Sequence, residues 1–359
     1  MIKVGIVGCG KVADDHVALI RTIPDCEIVA VCDREELMAK QLCERFKIST
    51  HFNDVKSLLD QAQPDVVHVT TPPKSHFEVA KVCLQSNSHV FVEKPFTVNA
   101  GEAEELIELA RQNNLKMTVN HDQQFTTPAR AMRELIAKGY LGGPPVHVES
   151  YFGYDLGGAS YAKALLGDRN HWVRQLPGKL LQNIISHGIS KISEFLETDS
   201  PNVIAHGFVS PLLRSIEEYD IIDELRVIIS DSERFTAYFT FSSHIRPTLH
   251  LLRVYGSKNA IEIDHDKQTL ITIRGSSYKS FLEKIIPSCT YAGQYSSNLV
   301  NNVLRFVRRD LHPKSGSKYL IESLYKSITH DTPLPIPYKE IRLTMKIMDE
   351  IFSQIYRTE

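Results

Sequence analysis

Gly8, Gly10 and Ala13 stand at the spacing G-x-G-x-x-A in the run Gly8-Cys9-Gly10-Lys11-Val12-Ala13, directly after the apolar residues Val4, Ile6 and Val7. Such a run permits a tight turn at Gly8, a close approach of backbone to a ligand at Gly10, and a helix lying close on a strand at Ala13. The helix that begins there offers unpaired N–H groups and the positive end of its dipole, so residues 8–12 suit the pyrophosphate of a dinucleotide. A second apolar run, Ile28-Val-Ala-Val-Cys32, ends at Asp33. That lies at the offset of about 20 residues where a carboxylate accepts hydrogen bonds from an adenosine ribose. Asp33 repels a 2′-phosphate and so favours NAD. Arg34, which could stack on adenine or meet that phosphate, keeps NADP open.

Two residues further along are placed to move protons. Lys94 stands between Glu93 and Pro95 at the end of the run His89-Val-Phe-Val92. A partly desolvated ammonium loses its proton more readily, which lets a lysine give or take one near neutral pH. A cis Lys94–Pro95 peptide would aim it at the site. His187 falls in a helix read over 180–196, where Asn183, His187, Ser190 and Glu194 form a polar stripe beside Ile185, Ile189, Ile192 and Leu196. Such a stripe is ordinarily a solvated face. An Asn and a His one turn apart after a glycine-bearing loop point instead to a substrate-facing pair, the histidine accepting a hydroxyl proton as hydride leaves the same carbon. The loop, 152–178, carries Arg169, His171, Trp172 and Arg174, and its arginines suit a phosphate or carboxylate. His76 reads as a site residue, whereas His16, His51, His68, His89, His206 and His250 read as structural or solvated. No zinc spacing and no Ser–His–Asp or Cys–His arrangement is legible.

The elements that must position these residues alternate strand and helix up to about residue 121. Strands end at Gly8, Asp33, Thr71, Glu93-Lys94 and Asn120, with helices over 34–47, 55–61, from Phe77, and over 100–112. That rhythm predicts a doubly wound α/β domain with a parallel sheet, whose ligands bind outside the carboxyl ends of the strands. Beyond 121 the pattern becomes a helix at 126–138, a strand at 146–151, and strands over 203–209, 224–230, 234–241, 249–255, 260–263 and 269–274. Successive strands without intervening helices predict a second, mostly antiparallel sheet. Helices follow over 298–309, 317–329 and 338–356.

The length of 359 residues suits two domains, and the near balance of 41 basic against 43 acidic side chains gives no field for nucleic acid or an acidic membrane. No apolar stretch is long enough to span a bilayer. Six cysteines without paired spacing fit a reducing cytoplasm, and the N-terminus has no signal-peptide core.

Together, Gly8–Ala13, Asp33, Thr71-Pro72-Pro73 with Ser75-His76, Glu93-Lys94-Pro95, Asn120 and the segment 178–187 resemble the glucose-fructose oxidoreductase/inositol dehydrogenase (Gfo/Idh/MocA) family. The resemblance implies an NAD(P)-binding Rossmann domain over 1–121 and an open-faced α/β domain over 122–337 for substrate binding and oligomerisation. It also implies a C-terminal helix, 338–359, packing back on the first domain. It implies hydride transfer between NAD(P) and a sugar, cyclitol or nucleotide-sugar derivative, in a homodimer or homotetramer assembled through the C-terminal sheet. By that likeness Lys94 hydrogen-bonds the reacting hydroxyl, and Asn120 lies near nicotinamide and substrate. Thr71, Pro72, His76 and Glu93 belong to the cofactor side. One departure stands out: Asn183 occupies a position where the family commonly has an aspartate, so His187 lacks the carboxylate that stabilises an imidazolium. Two other functions fit the same residues: a non-catalytic NAD-sensing regulator, and an NAD-assisted glycoside hydrolase.

Overall fold

A computed structural model describes residues 1–231, 234–275, 278–279, 281–308, 311–312 and 314–356. Two units divide the chain, Met1–His121 with Ser317–Asp349, and Asp122–Gly316 with Glu350–Glu359.

In the first unit, β-branched runs too short for buried helices make strands. These are β1 (Ile2–Val7), β2 (Cys26–Cys32), β3 (His51–Phe52), β4 (Val66–Val69), β5 (His89–Val92) and β6 (Met117–Val119). All pair in parallel in the order β3-β2-β1-β4-β5-β6. The two-residue β3 was not expected from the sequence, being too short to show alternation. Between the strands run α1 (Lys11–Ile20), α2 (Glu36–Phe46), α3 (Val55–Ala62), α4 (His76–Gln85) and α5 (Ala100–Gln112). Asp54 and Asn99 cap α3 and α5 by accepting from the N–H of Ser57 and Glu102. The strand order reverses between β1 and β4, which is where open α/β sheets bind ligands.

In the second unit, α6 (Thr127–Ala137), β7 (His147–Gly153), α7 (Ala159–Leu166), α8 (Lys179–Ile184) and α9 (Ser186–Ser193) precede the remaining strands. After β8 (Asn202–Phe208) come the short α10 (Pro211–Arg214), β9 (Glu224–Asp231), β10 (Phe235–Ser242), β11 (His250–Tyr255), β12 (Asn259–Asp264) and β13 (Thr269–Arg274). The sheet runs β13-β12-β11-β7-β10-β9-β8 and is antiparallel except for the β7–β10 pair. One of its faces is core: Val227, Ile229, Phe239, Phe241, Leu252, Val254, Ile261 and Ile263 are buried on it. Helices α11 (Leu282–Val307), α12 (Ser315–His330) and α13 (Tyr338–Ile355) complete the described chain.

Four expectations are corrected. The helix expected over 180–196 breaks at Ile185, so Asn183 lies on α8 and His187 on α9. The segment 152–178 is not a plain loop, since it contains α7 and a 3-10 turn over Trp172–Gln175. The helix expected over 298–309 begins at Leu282, because hydrogen bonds to β13 support a stretch with Pro287 and little helix propensity; residue 309 lies outside the described residues. Finally, most of 317–337 belongs with the first unit rather than the second. Tyr325 reaches His68 Nε2 (2.9 Å) and Lys116 pairs with Asp331, contacts no periodicity could announce. The last helix is shared: Tyr338 Oη accepts from the Met117 N–H, while Gln354 bonds Val203 and Ala205 on β8.

Among the described residues no helix is long and apolar enough to cross a membrane. A Cβ on Gly188 would meet the ring of Phe239 at 2.1 Å, so a hydrogen atom is all that fits between α9 and β10. Gly188→Ala should cost about 1–3 kcal/mol by overpacking, read as a lowered melting temperature; an unchanged one would mean that α9 shifts freely on the sheet.

Candidate active site

In the first unit the glycine turn is shaped by contact. Gly8 has φ +96°, and a Cβ on it would meet the Thr71 nitrogen at 2.6 Å, so only glycine serves there. Gly10 has nothing within 4 Å of a Cβ, and no side chain caps α1, which leaves open space beside the N–H groups of Lys11 and Val12. Asp33 Oδ2 accepts from the Cys9 N–H (2.7 Å) and Oδ1 from the Glu35 N–H (2.9 Å), which fixes its carboxylate beside the turn. Cys9 contributes backbone only; its thiol is buried, and burial raises its pKa. Arg34 is exposed at the end of β2. Thr71 Oγ1 and Asn120 Oδ1 are buried without a partner. Open space at Gly10, a fixed carboxylate beside the turn and two unfilled polar atoms fit a bound dinucleotide.

The ends of β5 and β6 are tied to α1 by one carboxylate. Glu93 is 8% exposed. Its Oε1 accepts from Asn120 Nδ2 (2.6 Å) and His16 Nε2 (2.8 Å), and its Oε2 accepts from the Lys94 N–H (3.1 Å). Burial alone would raise its pKa, but the hydrogen bond and charge of His16, with Asn120 and the Lys94 ammonium, outweigh it and hold the carboxyl well below the usual range. His16 Nδ1 meets His68 Nδ1 at 2.8 Å, and His68 Nε2 meets Tyr325 Oη at 2.9 Å. Burial, with the charge of His16, keeps His68 neutral. A neutral His68 carries one ring proton, so it donates to one of Tyr325 Oη and His16 Nδ1 and accepts from the other.

Glu93 thus holds its neighbours in place through both oxygens. One cofactor-side expectation is corrected. His76 is fully buried, with Nδ1 at 2.8 Å from the Pro95 carbonyl and Nε2 at 2.8 Å from that of Thr71. Burial pushes its pKa down while those carbonyls pull the other way. It staples the Thr71-Pro72 turn to the cis Lys94–Pro95 peptide and offers no ring nitrogen outward. Lys94 itself is half-buried at the end of β5, and exposed Pro72 flanks the turn.

In the second unit His187 Nδ1 lies 3.7 Å from Asp122 Oδ1, and its ring stacks on Phe152 (centroids 5.5 Å apart, 14° between planes). The carboxylate that Asn183 does not supply therefore comes from a residue far away in sequence. Two other members of the polar stripe are packed within the fold: Glu194 takes Arg133 Nη2 (2.6 Å), and the Ser190 hydroxyl donates to the His187 carbonyl (3.3 Å). Lys191, one turn past His187, is 1% exposed; it donates to Gln123 Oε1 (3.0 Å) and sits 5.6 Å from the Phe152 ring centre. Desolvation lowers its pKa to about 7 against the pull of Asp266, Asp122 and Glu194. Arg174 is corrected from substrate contact to structural residue, because its guanidinium is engaged by Glu218 and the Leu166 carbonyl. Arg169 and Trp172 are exposed and His171 is half-buried, its ring accepting from the Val173 N–H.

Sequence reasoning missed Tyr325, Asp122 and Lys191, whereas His16 and His68, read as structural or solvated, are indeed buried within the fold. His68 carried a usable signal, since a histidine inside the valine-rich Val66–Val69 must find a buried partner. Lys191 carried another, as the next position after Asn183 and His187 at a spacing of four.

Residues 2–121 match the model of an oxidoreductase family with an NAD-binding Rossmann fold. The chain is 32% identical over 142 residues to D-glucoside 3-dehydrogenase of Escherichia coli, covering 39% of this chain and 40% of that one. It is 30% identical over 154 residues to inositol 2-dehydrogenase of Salmonella typhimurium, covering 42% and 46%. The chain thus spans less than half the length of these relatives. The fold is that of UDP-N-acetylglucosamine 3-dehydrogenase GnnA from Acidithiobacillus ferrooxidans, with a TM-score of 0.74 at 18% identity over 99% of this chain and 97% of that one.

His16→Phe keeps the ring volume but leaves His68 and Glu93 each short of a partner. It should lower stability by about 1–3 kcal/mol, read by denaturant unfolding; no loss would break the assigned chain. For Lys191 the folded pKa of about 7 lies below the unfolded 10.5, so the unfolded state holds more protons between those values. The burial penalty is then complete below pH 7 and relieved as pH rises toward 10.5. Lys191→Met should raise the melting temperature more at pH 6 than at pH 10; an equal gain at both would mean that Lys191 is not neutralised on folding.

Proposed function

We propose that this chain, a member of the Gfo/Idh/MocA oxidoreductases by its residues 2–121, moves hydride between NAD and a secondary alcohol or ketone on a sugar, cyclitol or nucleotide-sugar derivative. The reading rests on the fixed carboxylate of Asp33, the Gly8–Val12 turn and the Lys94 strand end, all at the carboxyl edge of one parallel sheet. Bound NAD supplies a hydride acceptor at the carbinol carbon. Lys94 Nζ holds the reacting hydroxyl, and His187 takes its proton as the C–H bond breaks and the carbonyl forms. Asp122 stabilises the imidazolium that results, answering the absence of an aspartate at 183. Asn183 orients the substrate, and Asn120, anchored to Glu93, sits on the cofactor side. His171, Trp172 and Arg169 contact the substrate from the 152–178 segment, Arg169 meeting a phosphate or carboxylate where there is one.

The relatives are named for oxidation at ring positions of glucosides, inositol and UDP-N-acetylglucosamine, which supports a cyclic polyol as substrate. Subunits associate through the open face of the second sheet, where Ile204, Phe208, Ile228 and Tyr238 are exposed. The protein acts in the cytoplasm, a compartment that suits its free cysteines.

Purified protein should bind NADH and produce it from NAD with a member of a panel of sugars, cyclitols and UDP-sugars, followed by near-ultraviolet absorbance. Lys94→Ala should lose at least about a hundredfold in turnover, the scale of acid–base catalysis, while still binding NADH. Unchanged turnover would remove Lys94 from the mechanism. Product without net NADH would favour hydrolysis, and NADH binding with no product a regulatory role.

A further inference from the structure

Helix α11 is turned inside out. Its polar side faces its own sheet: Gln294 accepts from the Thr272 N–H (2.7 Å) and donates to the Thr272 carbonyl (3.0 Å), and Asn298 does the same with Leu270 (3.2 and 2.9 Å). Asn302 donates to the Lys267 carbonyl (2.9 Å). These amides close the outer edge of β13, which ends the sheet. The opposite side is apolar and uncovered. Leu282, Ile285, Cys289, Ala292, Ser296, Leu299, Val303 and Phe306 are all exposed, at the alternating three-and-four spacing of a coiled-coil seam. Leu299 is 65% exposed and Phe306 71%. No residue of α11 is buried, and no charged residue stands between Lys284 and Arg305.

We propose that the outer seam of α11 pairs antiparallel with the same helix of a second copy of this chain. A two-fold axis near Gln294 sets Leu282 against the partner's Phe306, Ile285 against the partner's Val303, and Cys289 against the partner's Leu299. Small residues, Ala292, Gly293 and Ser296, then meet at the crossing and let the backbones approach. The antiparallel sense brings the end bearing Arg305 and Arg308 to the end bearing Glu283 and Lys284, where charges of both signs stand, and opposes the helix dipoles, whereas a parallel pair would stack the arginines. The exposed apolar side chains of α11 amount to roughly 1,000 Å² per chain, against about 800 Å² per partner in a standard stable interface. A lipid surface fits less well, because an interfacial helix flanks its apolar face with lysine and arginine. Here β13 covers the polar face, which is made of amides. This contact is separate from the sheet face and independent of the hydride-transfer reading.

Leu299→Glu/Val303→Glu in the full-length protein should halve the solution mass measured by light scattering, with melting temperature and NADH binding unchanged. Oxidised Leu299→Cys should form an intermolecular cross-link to Cys289 that vanishes on Cys289→Ser. Ile228→Glu, on the sheet face, should leave that cross-link intact whatever it does to the mass. An unchanged mass in the double variant overturns the pairing, and a Cys289–Cys289 cross-link in the unmodified chain overturns the antiparallel sense. Binding of the unmodified chain to phosphatidylcholine–phosphatidylserine vesicles, lost in the double variant without a mass change, assigns the seam to lipid instead.

Discussion

A single buried negative charge organises the first unit. Glu93 has too little solvent to be stable as a bare carboxylate, so it gathers His16 from α1, Asn120 from β6 and the backbone of Lys94 around itself. Asn120 and Lys94 follow the ends of β6 and β5, and His16 lies midway along α1, the helix that starts from the glycine turn. Meeting the needs of one charge therefore sets the positions of three site elements. His68 and Tyr325 extend the same network through β4 to α12, and this draws residues from beyond 316 back to the first unit.

The second unit solves a different problem. A seven-stranded open sheet has two edges, each a row of unpaired backbone groups. Both are met by side-chain amides from helices: Gln294 and Asn298 on β13, and Gln354 on β8. Once α11 spends its polar side on an edge, its apolar side faces outward. Nearby, α9 is pressed against β10 at Gly188, which sets where His187 and Lys191 emerge. Asp122, arriving from the other end of the unit, completes the pair with His187.

Apart from the two-residue β3, the strands of both sheets were legible because their side chains repeat within a few residues. The runs ending at Asp33, Glu93 and Asn120, and the six strands after 202, lie within a residue or two of their observed bounds. Elements held by long-range bonds were not legible. The first half of α11 contains Pro287, Ser288, Thr290 and Gly293, and its helix depends on an edge strand that no local pattern reveals. The Arg174 expectation failed for a related reason, since a charged residue in a loop looks free until Glu218 is seen beside it.

The sequence by itself determined the order of the elements, the glycine turn with Asp33 at the end of the next strand, and the presence of a lysine at a strand end. Those are fixed by steric limits on glycine, by alternation in strands and by short spacings along the chain. Only the tertiary structure decided which groups meet: Glu93 with His16, His187 with Asp122, and Lys191 with a buried site that lowers its pKa. An interaction energy depends on distance and on exclusion of water, and residues far apart in the chain acquire both only when it folds.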